Sequence, residues 1–167
     1  ARLVDALQKQ QVRLIGFDVV FSEAELNPVS QVLASGQLSE ATATELQPLV
    51  AQLDGDSQFA KVISKNTVLG YFLHNSGGIH VGELPAPILR IDSKDKNKLS
   101  MNFMPDYTGN LPMFAKTVVG AGFVTTLPDV DGVMRRSPLV LRYEDGLYSS
   151  LSLELAKIYL NAPFVKL

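Results

Sequence analysis

The sequence predicts an α/β fold: a single domain over residues 1–167, built as a mixed sheet with helices packed on both faces and ending in an antiparallel hairpin followed by a helix. Three observations predict it. Apolar strand runs first alternate with helical runs. Two turn signals, Asp131-Gly132 and Glu144-Asp145-Gly146, then separate apolar runs with no helical segment between them. Directly afterwards, Leu151, Leu155, Ile158 and Tyr159 recur at helical spacing.

Taken in order, Leu3, Val4, Ala6 and Leu7 predict a short first helix, and residues 8–11 hand the chain to a strand. Residues 12–21 are almost continuously apolar apart from Arg13 and Asp18, the pattern of a central strand covered on both faces. Asn27 before Pro28 marks a helix start, and Gly36 its stop. Ser39 caps a second helix running through Leu53, kinked or interrupted where Pro48 lacks a donor. Asp56 is expected to cap a third helix carrying Phe59, Val62 and Ile63, and Asn66 to end it before a strand over residues 67–73. Gly77, Gly78, Gly82, Pro85 and Pro87 make residues 74–87 a long loop, functional or mobile.

Short strands are expected at residues 88–92 and 99–103 around a charged turn, and Asn110 with Pro112 starts a helix to about Val119. Residues 123–127 and 133–141 read as strands joined at Asp131-Gly132, with Arg135 and Arg136 on opposite faces of the second. The next turn separates residues 139–143 from Leu147-Tyr148, and Ser149 or Ser150 caps the last helix. Ser152, Glu154 and Lys157 are left for its wetter sides.

Composition removes several function classes. A chain of 167 residues, 46% hydrophobic, is long enough to bury a sizeable core, roughly 70% of its unfolded surface. A net charge of −2 offers no basic excess for a nucleic-acid partner or an anionic membrane surface. The lack of cysteine removes disulfides, thiolate nucleophiles and cysteine-based zinc sites. No apolar run reaches the roughly 20 residues of a membrane span. Because Ala1-Arg2-Leu3 shows neither an initiator Met nor a signal pattern, the expectation is a domain excised from a larger protein.

Four pieces carry a family resemblance: the strand 14–23 (LIGFDVVFSE), the helix after Asp56 leading into Val68-Leu69-Gly70, Gly122-Phe123 with Asp129-Val130-Asp131-Gly132-Val133-Met134-Arg135, and the helix entry Tyr148-Ser149-Ser150-Leu151. In this order the chain resembles a CHASE2 domain, a family of extracytoplasmic sensor modules of bacterial membrane receptors. Residues 31–53 and 74–98 add nothing to the resemblance. It implies a periplasmic sensory domain without catalytic residues, flanked by membrane segments absent from this chain. It further implies a homodimer and a cytoplasmic kinase or nucleotide cyclase as output.

The candidate ligand contacts begin with Asp18, which interrupts an apolar strand, and with Ser22 and Glu23 beyond it, where ligands of open α/β sheets bind. The alternative role for Asp18 is to accept hydrogen bonds from loop amides as a buried carboxylate. Asp129, Asp131 and Arg135 form the second group, an anion-binding constellation or a turn with a surface ion pair. Neither Asp129 nor Asp54 starts a calcium loop, since Met134 and Phe59 stand at the sixth position and Val140 and Lys65 at the twelfth. His74, His80 and Glu83 fall short of a convincing zinc set, and no Gly-x-Ser-x-Gly surrounds Ser149 or Ser150. No metal and no cofactor is expected.

Tyr71, Tyr107, Tyr143, Tyr148, Phe17 and Phe72 supply aromatics for the core or for an apolar ligand wall. The leading expectation is a sensor of an unidentified small molecule or envelope condition. Its competitors are a small hydrolase-like enzyme using Asp18, Glu23 and a loop histidine, and a ligand-free dimerisation spacer.

Overall fold

The computed structural model describes residues 1–63, 66–92 and 102–162. Helix α1 (Arg2–Lys9) leads to strand β1 (Ile15–Phe17), then to helices α2 (Pro28–Ala34), α3 (Glu40–Gln52) and α4 (Gly55–Val62). The long strand β2 (Thr67–His74) follows, then the short strands β3 (His80–Val81), β4 (Leu89–Arg90) and β5 (Asp106–Thr108). Helix α5 (Pro112–Ala115), strands β6 (Gly120–Phe123), β7 (Val140–Tyr143) and β8 (Gly146–Ser149), and helix α6 (Leu151–Tyr159) complete the order.

Strand β2 is the axis of the fold. Its first half pairs in parallel with β1 on one side and β6 on the other, and its last residues pair antiparallel with β5, which also carries β3. A second sheet runs β4-β8-β7, joined to β6 by a bridge between Phe123 and Ser150. Both the mixed sheet and the hairpin ahead of the last helix are therefore present. The hairpin closes where Tyr143 faces Gly146, with Glu144 at φ +50° in the turn.

Alternation along β1 divides the two faces. Ile15 and Phe17 pack with Leu69 against Val4 and Leu7 of α1, Phe59 of α4 and Phe114 of α5. Within that cluster Phe17, Phe21, Phe59 and Phe114 make ring contacts at centroid distances of 4.9 to 5.8 Å, mostly edge to face. On the opposite face lies α6, whose approach is set by glycine. A Cβ on Gly16 would meet Leu155 Cδ1 at 2.7 Å, one on Gly120 would meet Ile158 Cδ1 at 2.9 Å, and one on Gly122 would meet the Leu151 Cα at 2.5 Å. Gly16 and Gly120 flank Val68 in one register row and Gly122 stands beside Gly70 in the next, so the helix lies close on the sheet along its 151, 155, 158 stripe. A second core of Tyr71, Leu73, Phe123, Leu141, Tyr143 and Tyr148 fills the space where the two sheets meet.

Several expectations are corrected. The run 12–21 is not a central strand. Val12 N–H is taken by the Leu7 carbonyl at the end of α1, and Phe21 N–H by Asn110 Oδ1 at 2.8 Å, so only Ile15–Phe17 remain to pair, and they pair with β2 alone among the described residues. Asp54, not Asp56, caps α4 by accepting Ser57 N–H, while Asp56 accepts Glu25 N–H. Asn66 lies beyond the helix end and ties the start of β2 back to Gln8 and Val12. Helix α5 stops at Ala115 because Val119 N–H is drawn to the Thr67 carbonyl at the start of the β2–β6 ladder. Residues 74–87 are not structureless, since they contain β3, which pairs with β5.

Around Asp131-Gly132 the turn forms, with Gly132 at φ +79° and Asp129 N–H bonded to the Val133 carbonyl, but the strand expected to precede it ends at Phe123 and the next starts at Val140. Arg135 and Arg136 thus sit outside any strand. The expected turn 93–98 and strand residues 99–101 lie outside the described residues, while Phe103 bridges Arg142. Asn27 at α2, Ser39 at α3 and Ser150 at α6 cap as the sequence predicts, and Pro48 is accommodated inside α3.

Candidate functional site

Two recesses flank α6. The first, of about 240 Å³, opens beyond the C-terminal ends of β1 and β6 and is lined by Asp18, Thr125, Thr126, Ser137, Ser150 and Ser152 with Phe123, Val124 and Leu151. Asp18 is exposed there and accepts no hydrogen bond among the described residues, so it is not the buried acceptor of loop amides that its apolar surroundings in sequence predict. Ser150 Oγ is already engaged, accepting Leu153 N–H and lying 3.0 Å from Ser152 Oγ. No histidine lines this recess.

The other candidate residues divide. Ser22 is half-buried and Glu23 exposed on the connection leaving β1, and neither lines the Asp18 recess. Asp129, Asp131 and Arg135 come together: Arg135 Nη1 donates to Asp129 Oδ2 at 3.2 Å and Arg135 Nη2 to Asp131 Oδ2 at 2.8 Å. The Arg135 guanidinium, with the Val133 N–H behind it, holds the Asp131 carboxyl below the ordinary aspartate value. Asp129 and Asp131 thus occupy both guanidinium nitrogens of Arg135, at an exposed loop tip.

The second recess, of about 280 Å³, lies between α6 and the connection before β4. Pro85, Ala86, Pro87 and Ile88 form one side, Gly120 and Ala121 the floor, and Tyr71, Tyr148, Ser149, Glu154 and Lys157 the rest. Glu154 Oε2 accepts from Ser149 Oγ at 2.6 Å and from Lys157 Nζ at 2.7 Å. The pair is not on a wet side of the helix. Its side chains are only 14% and 16% exposed, because the close seat of α6 on the glycine rows draws residue 154 against Gly120 and β8. Tyr71 is fully buried, and its hydroxyl makes no hydrogen bond among the described residues. A buried hydroxyl without a partner costs about 1–3 kcal/mol. Burial first, then the neighbouring Tyr148 and Glu154, push the Tyr71 pKa well above an ordinary tyrosine.

The chain entering β3 is held by a third polar device. Buried Asp106 accepts the N–H groups of Ser76, Gly77 and Gly78 at 2.7 to 3.0 Å, and His80 Nε2 lies 3.5 Å from its Oδ1. Burial raises the Asp106 pKa, but the amide bonds and His80 outweigh it and leave the carboxyl below its ordinary value. His80 also stacks on Tyr107, and His74 Nε2 lies 2.9 Å from Thr108 Oγ1. The two imidazoles therefore have separate partners, and among the described residues no three His, Asp or Glu side chains converge to hold a metal ion.

The sequence offers Tyr71 and Tyr148 as aromatics for the core or a ligand wall but does not join them to Glu154 and Lys157. The signal was available in part: an i, i+3 Glu-Lys pair on the helix that follows Ser149, with Gly120 and Gly122 upstream to seat that helix.

No helix among the described residues is long and apolar enough to cross a membrane. No curated protein and no solved structure matches the chain. The family model described as the CHASE2 domain matches residues 1–166, essentially the whole chain. The chain accordingly belongs to the CHASE2 domain family, sensory domains found in signalling proteins.

Proposed function

We propose that this chain is the extracytoplasmic sensory module of a bacterial membrane receptor, detecting a small ligand and regulating a cytoplasmic kinase or nucleotide cyclase. One observation carries the reading: α6 walls both recesses, with Ser150, Leu151 and Ser152 at the first and Glu154 and Lys157 at the second. A ligand in either recess bears directly on that helix, and α6 lies in the segment that the family's architecture connects toward the membrane. Arg13 fastens the far end of α6 to the start of β1, donating to the Tyr159 carbonyl at 2.9 Å with its guanidinium 4.4 Å from the Tyr159 ring centroid. This contact ties the two terminal parts of the domain to each other.

Signalling of this kind needs two arrangements whose balance a ligand shifts through its difference in affinity for them. Asp18 is the proposed polar contact of the first recess, with Ser22 and Glu23 on the connection beyond it. The Asp129, Asp131 and Arg135 cluster, where Arg135 is paired to both carboxylates, is the second proposed ligand contact. The working form is a homodimer held by flanking membrane segments.

A thermal-shift screen of metabolites, nucleotides, metal salts and pH tests the proposal. A true ligand at about a hundredfold over its Kd adds about 2.7 kcal/mol of stability. Silence across a broad library contradicts it and favours a ligand-free spacer. Asp18→Asn separates sensor from enzyme, because it alters ligand affinity in a sensor and abolishes turnover in a hydrolase.

A further inference from the structure

We propose that residues 128–138 form a lid that closes over the Asp18 recess, turning Val133 and Met134 inward and bringing Arg136 onto the Asp18 carboxylate. A gating role for this lid rests on the sensory reading; its closure does not.

The segment leaves and rejoins the domain at the rim of the recess, which Thr126 lines on the outgoing side and Ser137 on the returning side. Its tip is braced from within. Gly132 N–H donates to the Asp129 carbonyl at 2.8 Å, Asp129 N–H to the Val133 carbonyl at 3.1 Å, and Arg135 grips Asp129 and Asp131. Yet no residue from 126 to 138 makes a hydrogen bond with the rest of the domain among the described residues. The nearest fastenings are the Thr125 hydroxyl on the Leu73 backbone, the packing of Leu127 on the second core, and the Leu139 carbonyl, which accepts Ser150 N–H. A stiff flap on two short tethers moves at low free-energy cost.

The tip carries what closure hides. Val133 and Met134 are 48% and 61% exposed, and Val124 and Leu151 give the recess apolar surface to receive them. Met134 stands three residues from Ser137, so its Cα lies at most about 11 Å from the rim. Covering the recess also takes water from Asp18, and a covered carboxylate needs a counter-charge. Arg135 is committed to its two aspartates, whereas Arg136, next to Ser137, has no partner among the described residues. The lid therefore brings its own cation. In that position Arg136 occupies the contact proposed for the ligand, which makes the closed lid an autoinhibited state.

The chain has no cysteine, so Met134→Cys with Ser152→Cys introduces a single pair, the second member exposed at the recess. A disulfide forms only when the two Cα atoms come within about 7 Å, and its rate of formation within one molecule reports closure. The pair should cross-link faster than Met134→Cys with Ala156→Cys, an exposed position further along α6 and outside the recess. Asp18→Lys or Arg136→Glu added to the pair should slow it about threefold, and the two together should restore it. Val133→Asp should slow it as well, and so should about 1 M salt.

Equal rates at Ser152→Cys and Ala156→Cys, single reversals that cross-link as fast as the parent pair, or a double reversal that fails to restore the rate would overturn the proposal. Any of these leaves the sensory reading standing, because an open recess still admits a ligand. A silent ligand screen beside a restored double reversal keeps the lid and counts against the sensory reading.

Discussion

At Gly122 there is no room for one methyl group, since a Cβ there would sit 2.5 to 2.6 Å from the backbone of Ser150 and Leu151, which cannot swing aside. Gly122→Ala should cost about 3 kcal/mol or more in urea unfolding. Gly16→Ala meets only the flexible end of Leu155 and should cost about 1 kcal/mol. Equal losses at the two positions would contradict the seat proposed for α6. Spacing alone does not reveal that a helix arriving some thirty residues after Gly122 will lie on it. A similar limit applies to the α4 cap: Asp54 and Asp56 are both suitable acids, and the choice falls to Asp54 because Asp56 is taken by Glu25 N–H from a distant connection.

Asp106 gives a pH prediction at the same scale. Its folded-state pKa lies below the unfolded one, so the stability it contributes is present above the ordinary aspartate pKa of about 4 and is lost as pH falls through the lowered value. Asp54 and Asp131 shift in the same direction and add to the same acid limb. Asp106→Asn, which cannot accept three amides as a carboxylate does, should flatten part of that limb and speed hydrogen exchange at Ser76, Gly77 and Gly78. Unchanged exchange there would show that the amides do not depend on the carboxylate.

At the scale of elements, α6 is held by its apolar stripe on the sheet, by Glu154 and Lys157 against β8, and by Arg13 at its far end. Removing one member of the mostly buried pair leaves the other charge without its partner, so Lys157→Met should cost about 2 kcal/mol. Thermal unfolding measures it, and an unchanged midpoint would mean the pair is solvated in solution. Elements with a local cause were legible: Asn27, Ser39 and Ser150 cap from one side chain each, and the Glu144-Asp145-Gly146 turn needs only its own residues. Elements decided by distant partners were not. Residues 12–21 carry a strand pattern throughout, yet Leu7 and Asn110 claim the backbone at either end; residues 133–139 have strand-like composition but lack a neighbouring strand to pair with among the described residues. The helical periodicity of α6 was plain, but not that its polar residues face a narrow gap between helix and second sheet.

Over the whole molecule, β2 joins two cores, one beneath α1, α4 and α5 and one between the two sheets, while α6 covers the remaining face. That arrangement puts a polar recess at the helix start and a more enclosed one at its middle, both within one element's reach. A sensor is expected to use such an element as its moving part, since displacing α6 against a glycine floor disturbs few side chains of the sheet. The family and its class of fold followed from a handful of ordered segments in the sequence. The recess with Tyr71 and Glu154 required the coordinates, because it is made by residues from five separate parts of the chain.

Hydrogen exchange along Leu151–Tyr159, compared with and without a saturating ligand drawn from the thermal-shift screen, tests the central claim most directly. The account predicts that the change in protection is concentrated in α6 and in the β8 and Pro85-to-Ile88 walls facing it. A ligand that stabilises the chain while leaving α6 exchange unaltered would contradict it.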